Sequence, residues 1–429
     1  MARFRIARRV LTMVVVGALA GCAHASPPPT SSADPQLLTV AGVSRQAPTA
    51  DAPVAGAVAG LGRFAEVFGS AVVKPGQNAV YSPLSIAYAF AMLRAAADGQ
   101  TAAQLDTLFG FPGTGLHEAY NALSRGIVTT GDAPPRPAPG ATRDPATPPA
   151  APIVSIANGL FLQQGFQPTQ AFLRTLAEQY GAAARAVDFG SDQATRTINA
   201  WVRKQTAERI EKIVDRFDPG TVAVIANAVY LKAEWARPFE PSDTADRQFR
   251  RADGSTVQVP TMRTQEPLRY ASGPGWQAVE LPYAGDDLAM WVLVPTGAMP
   301  PSRLLSPEVL GAANSTARQA EVELTLPRWN FGTDIDLLPV LAGLGLTDVA
   351  DLAGLSPDAA VSSAVHRANI TVDESGTEAA AVTAIMVDAA GPSAPQVTVR
   401  ADHPFAFAIV HKATAAPLFL GQVADPTAR

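Results

Sequence analysis

The chain has 429 residues, of which 47% are hydrophobic and 17% charged, so it can bury a large core and is not an intrinsically disordered polymer. Its formal net charge is −5, and removal of residues 1–21, which hold four arginines and no acid, leaves −9. A mildly acidic protein lacks the basic surface that nucleic-acid binding requires, and we expect no nucleic-acid partner.

The N-terminus has the pattern of a bacterial lipoprotein signal. A basic segment (Arg3–Arg9) precedes an apolar run (Val10–Ala20) that is too short to span a bilayer, and Gly21-Cys22 follows. Cys22 is the single cysteine of the chain, so it forms no internal disulfide, and the pattern predicts cleavage before it and lipid attachment to it. The alternative is an ordinary signal peptide with an incidental cysteine. A lipid anchor would place the protein on the outer face of the cytoplasmic membrane, together with its partners.

The region after the signal is rich in Pro, Ser, Ala and Thr, which predicts a flexible tether over residues 22–53. Apolar residues at steps of three and four then predict an amphipathic helix from about Val58 to Val72. A run without helix breakers over Ile86–Ala97 predicts a fully buried helix, and Thr101 begins another. A second Pro-rich segment at about 130–152 predicts a surface insertion, with a domain boundary as the alternative.

Strand patterns dominate the rest of the chain, and helices are predicted at Thr169–Tyr180 and Gln193–Thr206. Runs rich in β-branched and aromatic residues predict strands at Ile153–Asn158, Val222–Leu231, Gln277–Leu281, Leu288–Val294 and Val397–Arg400. Polar and apolar residues alternate strictly over Glu321–Leu326, so this strand should have one solvent-exposed face. No repeat of 20–50 residues recurs, which excludes solenoids and propellers. The sequence therefore predicts one large mixed domain whose strands are at least partly antiparallel.

Catalytic signatures are absent from the sequence. It contains no Gly-x-Ser-x-Gly, Ser-x-x-Lys, His-Glu-x-x-His, Cys-x-x-Cys or phosphate-binding loop. Its five histidines have no acidic or cysteine neighbours at the spacing of metal ligands. We therefore expect no enzymatic activity, no catalytic residues, no cofactor and no metal.

Four blocks of sequence follow one another at characteristic distances. They are Asn78–Ile86 (NAVYSPLSI), Ala226–Trp235 (ANAVYLKAEW) with Pro238-Phe239, Glu280–Tyr283 (ELPY), and a long last block that joins His366–Ala368, Asp373–Thr383 (DESGTEAAAVT), Ala401–Phe405 and Leu418–Gly421. Together, over about residues 55–427, they resemble the serpin family of serine protease inhibitors. Three features depart from the family pattern: the Pro-rich insertion, Ala233 in place of a customary glycine, and a segment from Glu374 to Pro404 that is a few residues long.

The resemblance implies an α+β serpin fold: a single large domain with several β-sheets, about eight to nine helices and an exposed reactive-centre loop. It also implies a monomeric inhibitor of an extracellular serine protease. In this family the protease cuts the loop and stays attached to it as a covalent acyl complex, while the loop inserts into the main sheet as a new strand. About 16 inserted residues at roughly 3.3 Å each would carry the cut end on the order of 50 Å.

The base of this loop can be interpreted in two ways. On propensity alone, Thr377–Ala381 is typical of a helix start, with Thr377 as N-cap. The resemblance instead makes Glu374, Gly376, Thr377, Ala379, Ala380 and Ala381 the hinge that inserts first. Alternation supports a strand, because the odd positions 375–387 carry no charge, whereas Glu378 and Asp388 share the even positions.

Family spacing places the cleaved bond between Ala390 and Gly391, with Met386–Ala390 as the range of candidates. No Arg or Lys lies between Glu374 and Val399, so a trypsin-like pocket is unsuited, and an elastase-like or subtilisin-like protease is expected.

The resemblance also identifies a polar cluster beneath the moving strands. Ser82, Ser85, Asn227 and His366 match this shutter, and Trp235 with Glu374 matches the place where insertion begins. The alternatives are a non-inhibitory serpin that acts as a carrier or chaperone, a surface adhesin or scaffold, and a hydrolase, for which no nucleophile motif is found.

Overall fold

The computed structural model describes residues 35–129, 149–206, 208, 210–218, 220–356, 359–377 and 395–428. Within these ranges the chain forms eight α-helices, one π-helical turn at Leu176–Tyr180 and two short 3-10 turns, at Pro241–Asp243 and Pro301–Leu305. The helices are α1 (Val54–Val72), α2 (Pro83–Arg94), α3 (Gly99–Phe109), α4 (Leu116–Ile127), α5 (Gln170–Thr175), α6 (Asp192–Gln205), α7 (Pro307–Thr316) and α8 (Leu337–Gly343).

The strands of the described residues form two sheets. They are β1 (Gln36–Leu38), β2 (Ala79–Tyr81), β3 (Ile153–Gln163), β4 (Ala184–Val187), β5 (Ala223–Glu234), β6 (Ala245–Arg250), β7 (Thr256–Gly273), β8 (Trp276–Pro282), β9 (Leu288–Pro295), β10 (Arg318–Pro327), β11 (Trp329–Asp336), β12 (Ser363–Asp373), β13 (Gly376–Thr377), β14 (Val397–Arg400), β15 (Phe405–His411) and β16 (Ala416–Val423). The main sheet has the order β1-β4-β3-β5-β13-β12-β11. The second has the order β14-β10-β7-β8-β9-β15-β16-β2, with β6 on β7.

Helix α2 shows why an almost entirely apolar helix is stable here. Every residue from Pro83 to Leu93 is buried, because the helix is enclosed by α1, α4, both sheets and the loops between them. Its start is fixed by Ser82, whose Oγ accepts a hydrogen bond from the Ser85 amide at 3.2 Å, and by Pro83 in the first turn. The buried helix predicted at Ile86–Ala97 is thus confirmed, although it begins and ends three residues earlier.

The main sheet has a different layer on each face. Odd-numbered residues of β5, such as Ile225, Val229 and Leu231, belong to the main core with α1 and α2. Even-numbered residues Val224, Ala226 and Ala228 pack with α6 in a smaller core. This alternation fixes which side chains of any strand added beside β5 would face the main core.

The other predicted elements are observed with boundary shifts, and the single α+β domain is confirmed. The predicted helix Thr169–Tyr180 is α5 followed by the π-helical turn. Strand β10 alternates as expected over Glu321–Leu324, since Val322 and Leu324 are buried while Glu321 and Glu323 are half-buried, but Thr325, on the face of the glutamates, is buried. The predicted insertion begins after α4 and ends before β3, and Ile127 and Val154 at its two sides lie in the same core. Residues 130–148 lie outside the described residues.

The tether predicted at residues 22–53 needs correction from residue 35 onward. Leu37 and its neighbours form β1, which pairs antiparallel with β4 at the edge of the main sheet. Arg45 then donates from Nε to Asn121 Oδ1 at 3.0 Å and from Nη2 to Ser124 Oγ at 2.5 Å, both on α4. The Gln46 amide donates to the Glu178 carbonyl at 2.8 Å. Composition could not reveal these bonds, because they depend on partners far away in sequence. Among the described residues, no helix combines the length and apolarity needed to cross a membrane.

Candidate functional site

The main sheet is split between β5 and β12. At one end the two strands pair in parallel, with Val224–Ala228 opposite Ser363–Arg367. At the other end β13 lies between them and is antiparallel to both. Gly376 lies opposite Glu234 and Asp373, and Thr377 opposite Ala233 and Val372. Strand β13 is therefore a two-residue wedge that separates strands which pair directly further along.

Gly376 is required by the close approach of β13 to β5. Its φ is 150°, and a Cβ at this position would lie 2.1 Å from the carbonyl oxygen of Ala233. Any larger residue would force the backbones apart. The close approach of the two strands thus accounts for a glycine at position 376.

Thr377 is held in the interior by an aromatic pair. It is 3% exposed, and its hydroxyl shares a 2.6 Å hydrogen bond with the Tyr283 hydroxyl. The Tyr283 ring stacks on Trp235, with ring centroids 4.6 Å apart and planes inclined by 8°. Burial raises the pKa of Tyr283 well above its ordinary value, so the phenol stays neutral. The inward orientation predicted for Thr377 from alternation is observed, and the helical interpretation is wrong at this residue.

Glu374 fixes the start of the wedge by charge and by backbone bonds. Its Oε1 accepts from Arg328 Nε at 2.8 Å, Arg328 Nη2 at 2.5 Å and Thr244 Oγ1 at 2.5 Å. Its carbonyl accepts from the Phe239 amide at 2.9 Å, and the Trp235 indole donates to the Asp373 carbonyl at 3.0 Å. Hydrogen bonds to a charged carboxylate are the strong class, so the chain is anchored immediately before it enters the sheet.

The charged form of Asp373 lacks the arginine hydrogen bonds that its neighbour Glu374 receives. Burial, assisted by the charge of Glu374, raises the pKa of Asp373 to about 6, although backbone amides of Ser375 and Gly376 oppose the shift. A raised carboxyl pKa means that the native state loses stability as pH rises through about 6. At neutral pH the base of the wedge therefore carries an unfavourable buried charge.

A polar cluster lies where β5 and β12 still pair. Asn227 Nδ2 donates to the Ser85 carbonyl at 2.8 Å and to Ser85 Oγ at 2.7 Å, and it also donates to Asn158 Oδ1 on β3. His366 Nδ1 bonds Asn227 Oδ1 at 2.5 Å, and the Ser82 amide donates to His366 Nε2 at 3.1 Å. The cluster therefore connects β3, β5, β12 and the start of α2 through hydrogen bonds inside the core.

These bonds define the state of His366. Nε2 accepts a hydrogen bond from the Ser82 amide, so Nδ1 carries the single ring proton, which it donates to Asn227 Oδ1, and the imidazole is neutral. Complete burial lowers the pKa of His366 to about 3, because removal from water disfavours the charged imidazolium.

Comparison of the chain with known proteins identifies its family. Residues 63–426 match the family model described as Serpin (serine protease inhibitor). The chain belongs to the serpin family. Human neuroserpin is 32% identical across 82% of this chain and 86% of its own, and the leukocyte elastase inhibitor of Bos taurus is 33% identical across 82% and 94%. Native tengpin, a thermophilic serpin, has the same fold, with a TM-score of 0.75, 24% identity and coverage of 89% of this chain and 96% of its own.

In this serpin, the predicted shutter residues Ser82, Ser85, Asn227 and His366 meet in one hydrogen-bonded cluster, and Trp235, Glu374, Gly376 and Thr377 meet at the wedge. The remaining predicted site residues, Ala379, Ala380, Ala381, Ala390, Gly391 and Cys22, lie outside the described residues.

Sequence reasoning missed three side chains: Asn158, Tyr283 and Arg328. Asn158 lies directly opposite Asn227 in the β3–β5 register, and an asparagine in the middle of a mostly apolar strand is a signal that the sequence offers. Tyr283 belongs to the conserved-looking block Glu280–Tyr283, but nothing in the sequence indicates that it contacts Thr377. No local pattern marks Arg328.

The first prediction concerns acid. Because the pKa of His366 is about 3 in the folded state and about 6.5 when unfolded, the unfolded state binds one more proton between these values. Stability is therefore retained above pH 6.5 and lost as pH falls, by about 1.4 kcal/mol per pH unit for this residue. His366→Gln should remove that part of the slope, measured as the free energy of unfolding in denaturant between pH 7 and pH 4.

His117 serves as the positive control for this measurement. Burial lowers the pKa of His117 to about 4, so His117→Gln should reduce the slope in the same way, although His117 has no hydrogen bond to the described shutter residues. A wild-type slope that persists unchanged in His366→Gln would show that the imidazole does take up a proton in the folded protein.

Proposed function

We propose that this serpin is a suicide-substrate inhibitor of an extracellular elastase-like or subtilisin-like serine protease. It would be cut in its reactive loop, retain the protease as an acyl ester and insert the cut loop between β5 and β12. The observation that carries the proposal is β13, which already occupies the first two positions of such a strand.

The register of β13 extends without a shift along both neighbours. Continuing the pairs of Gly376 and Thr377 would place Met386 opposite Val224 on β5 and Ser363 on β12. Val224 and Ser363 are themselves paired with each other at present. The two edges are therefore in phase, and a strand of residues 376–386 would replace their direct pairing with antiparallel pairing on both sides. Antiparallel pairs are slightly more stable per residue than parallel ones, which favours insertion.

The same register supports the alternation argument. Thr377, Ala379, Ala381, Thr383 and Ile385 would lie opposite odd-numbered residues of β5, which face the main core. Glu378 would lie opposite Lys232 on the other face of the sheet, next to a half-buried cation. Uncharged residues would thus enter the core while the acid remains near water and a lysine.

The shutter would open at a defined point. Asn227 and His366 are directly opposite each other, and the extended register places Thr383 between them. Insertion beyond Val382 must therefore break the bond between His366 Nδ1 and Asn227 Oδ1. Thr383 has a hydroxyl that both donates and accepts, so it can replace this bond on either side.

The protease class follows from the loop chemistry. Ala390 lies four residues beyond Met386, so a cut there would leave the acylated end at the far edge of the filled sheet. A small residue suits a shallow or broadly apolar specificity pocket. The relative from Bos taurus is named an elastase inhibitor, which agrees with this class.

We also propose that Cys22 is lipidated and anchors the protein to the outer face of the bacterial cytoplasmic membrane. Support comes from the signal pattern and from the position of β1, which begins 14 residues after Cys22 and gives the anchor a short connection to the domain.

The second prediction is covalent trapping. The protein from residue 23 onward, which keeps β1 and the Arg45 contacts, should give with elastase or subtilisin a complex that survives denaturing electrophoresis, and trypsin should give much less. The loop-cleaved form should melt at a markedly higher temperature than the intact form, because insertion completes the sheet. Purely reversible inhibition, or equal melting temperatures, would exclude the trapping mechanism and favour a binding protein.

The third prediction concerns Thr377→Arg. The guanidinium would enter a site that is 97% buried beside a neutral phenol, at a cost of several kcal/mol for an unpaired buried charge. The variant should be cut at the normal rate, because Ala390 is 13 residues away, but should release active protease.

Two matched variants separate charge from other effects. Thr377→Val removes the bond to Tyr283 without adding a charge and should still trap, while Glu378→Arg changes the opposite face and should also trap. Equal complex formation by Thr377→Arg and the parent would refute the register.

The fourth prediction tests the anchor. When the full chain is expressed in a bacterium with labelled palmitate, the wild type should carry label and sediment with membranes, whereas Cys22→Ser should carry none and fail to sediment. A processed wild-type protein without label would indicate the ordinary signal peptide.

A further inference from the structure

The described chain enters the main sheet at the end opposite the wedge. Strand β1 runs from Gln36 to Leu38, and Gln36 lies opposite Ala186 of β4. Ala186 lies opposite Leu162 of β3, which in turn lies opposite Ala223 at the start of β5. Gln36 therefore belongs to the row of the sheet that contains Ala223, and Leu38 lies closer to the wedge. The chain before Gln36 leaves the sheet on the far side of this row.

The base of the reactive loop lies at the other end of the same sheet. Gly376 is opposite Glu234, which is 11 residues further along β5 than Ala223. At roughly 3.3 Å per residue, the wedge is about 36 Å from the row of Gln36. A protease that cuts the loop would therefore meet the domain at the end remote from its N-terminal strand.

Insertion would bring the cut end of the loop to the row of Gln36. In the extended register of β13, Val387 would lie opposite Ala223. Strands β5, β3 and β4 separate this position from β1, so four strand spacings of roughly 4.8 Å give a lateral distance of about 19 Å. Ala390, the expected point of attachment of the protease, lies just beyond Val387 in the sequence. The trapped protease would thus be held beside the point where the N-terminal chain leaves the sheet.

The length of chain between Cys22 and Gln36 matches the size of a protease. Gln36 follows Cys22 by 14 residues, and this length of chain spans at most about 50 Å when it is fully extended. A globular protease of about 250 residues has a radius of gyration of about 18 Å, which corresponds to a sphere about 45 Å across. A lipid on Cys22 would therefore leave room for one protease between the membrane and this end of the sheet.

We propose that the spacer, residues 23–35, has the length that a membrane-anchored serpin needs to accommodate the protease it traps. The uncut loop is presented to a soluble protease at the end of the domain remote from the lipid. Insertion then carries the protease to the end from which the spacer leaves, where it must fit between the domain and the bilayer. This inference rests on the proposed inhibitory function and on the proposed lipidation of Cys22.

Deletion of residues 24–33 tests the proposal, because it keeps Cys22 for lipidation and keeps β1. Cys22 would then lie within about 14 Å of Gln36, and few orientations of the domain would leave room for a body about 45 Å across. The lipidated protein is placed in vesicles of phosphatidylethanolamine and phosphatidylglycerol and incubated with elastase. Relative to the anchored parent, the ratio of covalent complex to cleaved serpin should fall about fivefold or more, because the shortened spacer cannot span the protease. The rate of loop cleavage should stay unchanged.

Two controls separate the length of the spacer from other effects. The same deletion in soluble protein that begins at residue 23 should trap elastase as well as the soluble parent does, because no bilayer limits the space. A Gly/Ser sequence of the same length in place of residues 24–33 should trap like the anchored parent, because it keeps the length and changes the side chains.

The outcomes distinguish this proposal from those on which it rests. Anchored trapping that survives the deletion, a soluble deletion variant that fails to trap, or failure of the anchored Gly/Ser variant would each overturn the role of spacer length. A soluble parent that does not trap would instead refute the inhibitory function, and a parent without lipid would refute the anchor. Either of these two results would also remove the basis of the proposal.

Discussion

The central constraint of this fold is that β5 and β12 are held in phase by two different pairings at once. They pair in parallel at one end and are separated by an antiparallel wedge at the other. A shift of one residue in either register would turn the side chains of the wedge to the wrong face. Gly376 makes the wedge possible because no Cβ fits against Ala233, and Glu374 fixes where it starts through Arg328 and Thr244. The split is therefore specified by short-range sterics and by one anchored charge.

In the proposed mechanism the shutter must hold β5 to β12 and yet allow the two strands to separate. A buried neutral histidine and an asparagine hold β5 to β12 through a bond that must break before a longer strand can enter. Each partner has other bonds: Asn227 to Ser85 and Asn158, and His366 to the Ser82 amide. Breaking one bond therefore leaves the side chains positioned rather than free, which keeps the cost near that of a single buried hydrogen bond. A pair of hydrophobic side chains at this point would not hold β5 and β12 together through a bond of defined direction.

The sequence predicted much of the fold and the inner face of the wedge. Helix and strand positions follow from hydrophobic periodicity, and the orientation of Thr377 follows from the alternation of a strand. Local patterns could not predict which residues contact each other across long stretches of sequence. The residues around Arg45 have the composition of a flexible tether, yet Arg45 forms hydrogen bonds with α4. Tyr283 forms a hydrogen bond with Thr377, 94 residues further along the chain. Helix propensity favours a helix at Thr377 because it takes no account of β5 and β12, the strands on either side. Pairing with these two strands outweighs helix propensity differences of a few tenths of a kcal/mol per residue.

The arrangement of the main sheet links its distant edge to the split. Strands β1, β4, β3 and β5 lie on one side of the wedge, and β12 and β11 on the other. Strand β3 is paired with β5 from Ile153 to Leu162, and α6 packs across both, so these strands can separate from β12 only as a body. Asn158 belongs to this body, and its Oδ1 accepts a hydrogen bond from Asn227, so the shutter is tied to β3 as well as to β5 and β12. The bond between His366 and Asn227 is therefore a side-chain contact at which this body would have to part from β12, while the bonds from Asn227 to Asn158 and Ser85 would stay within the body or connect it to α2.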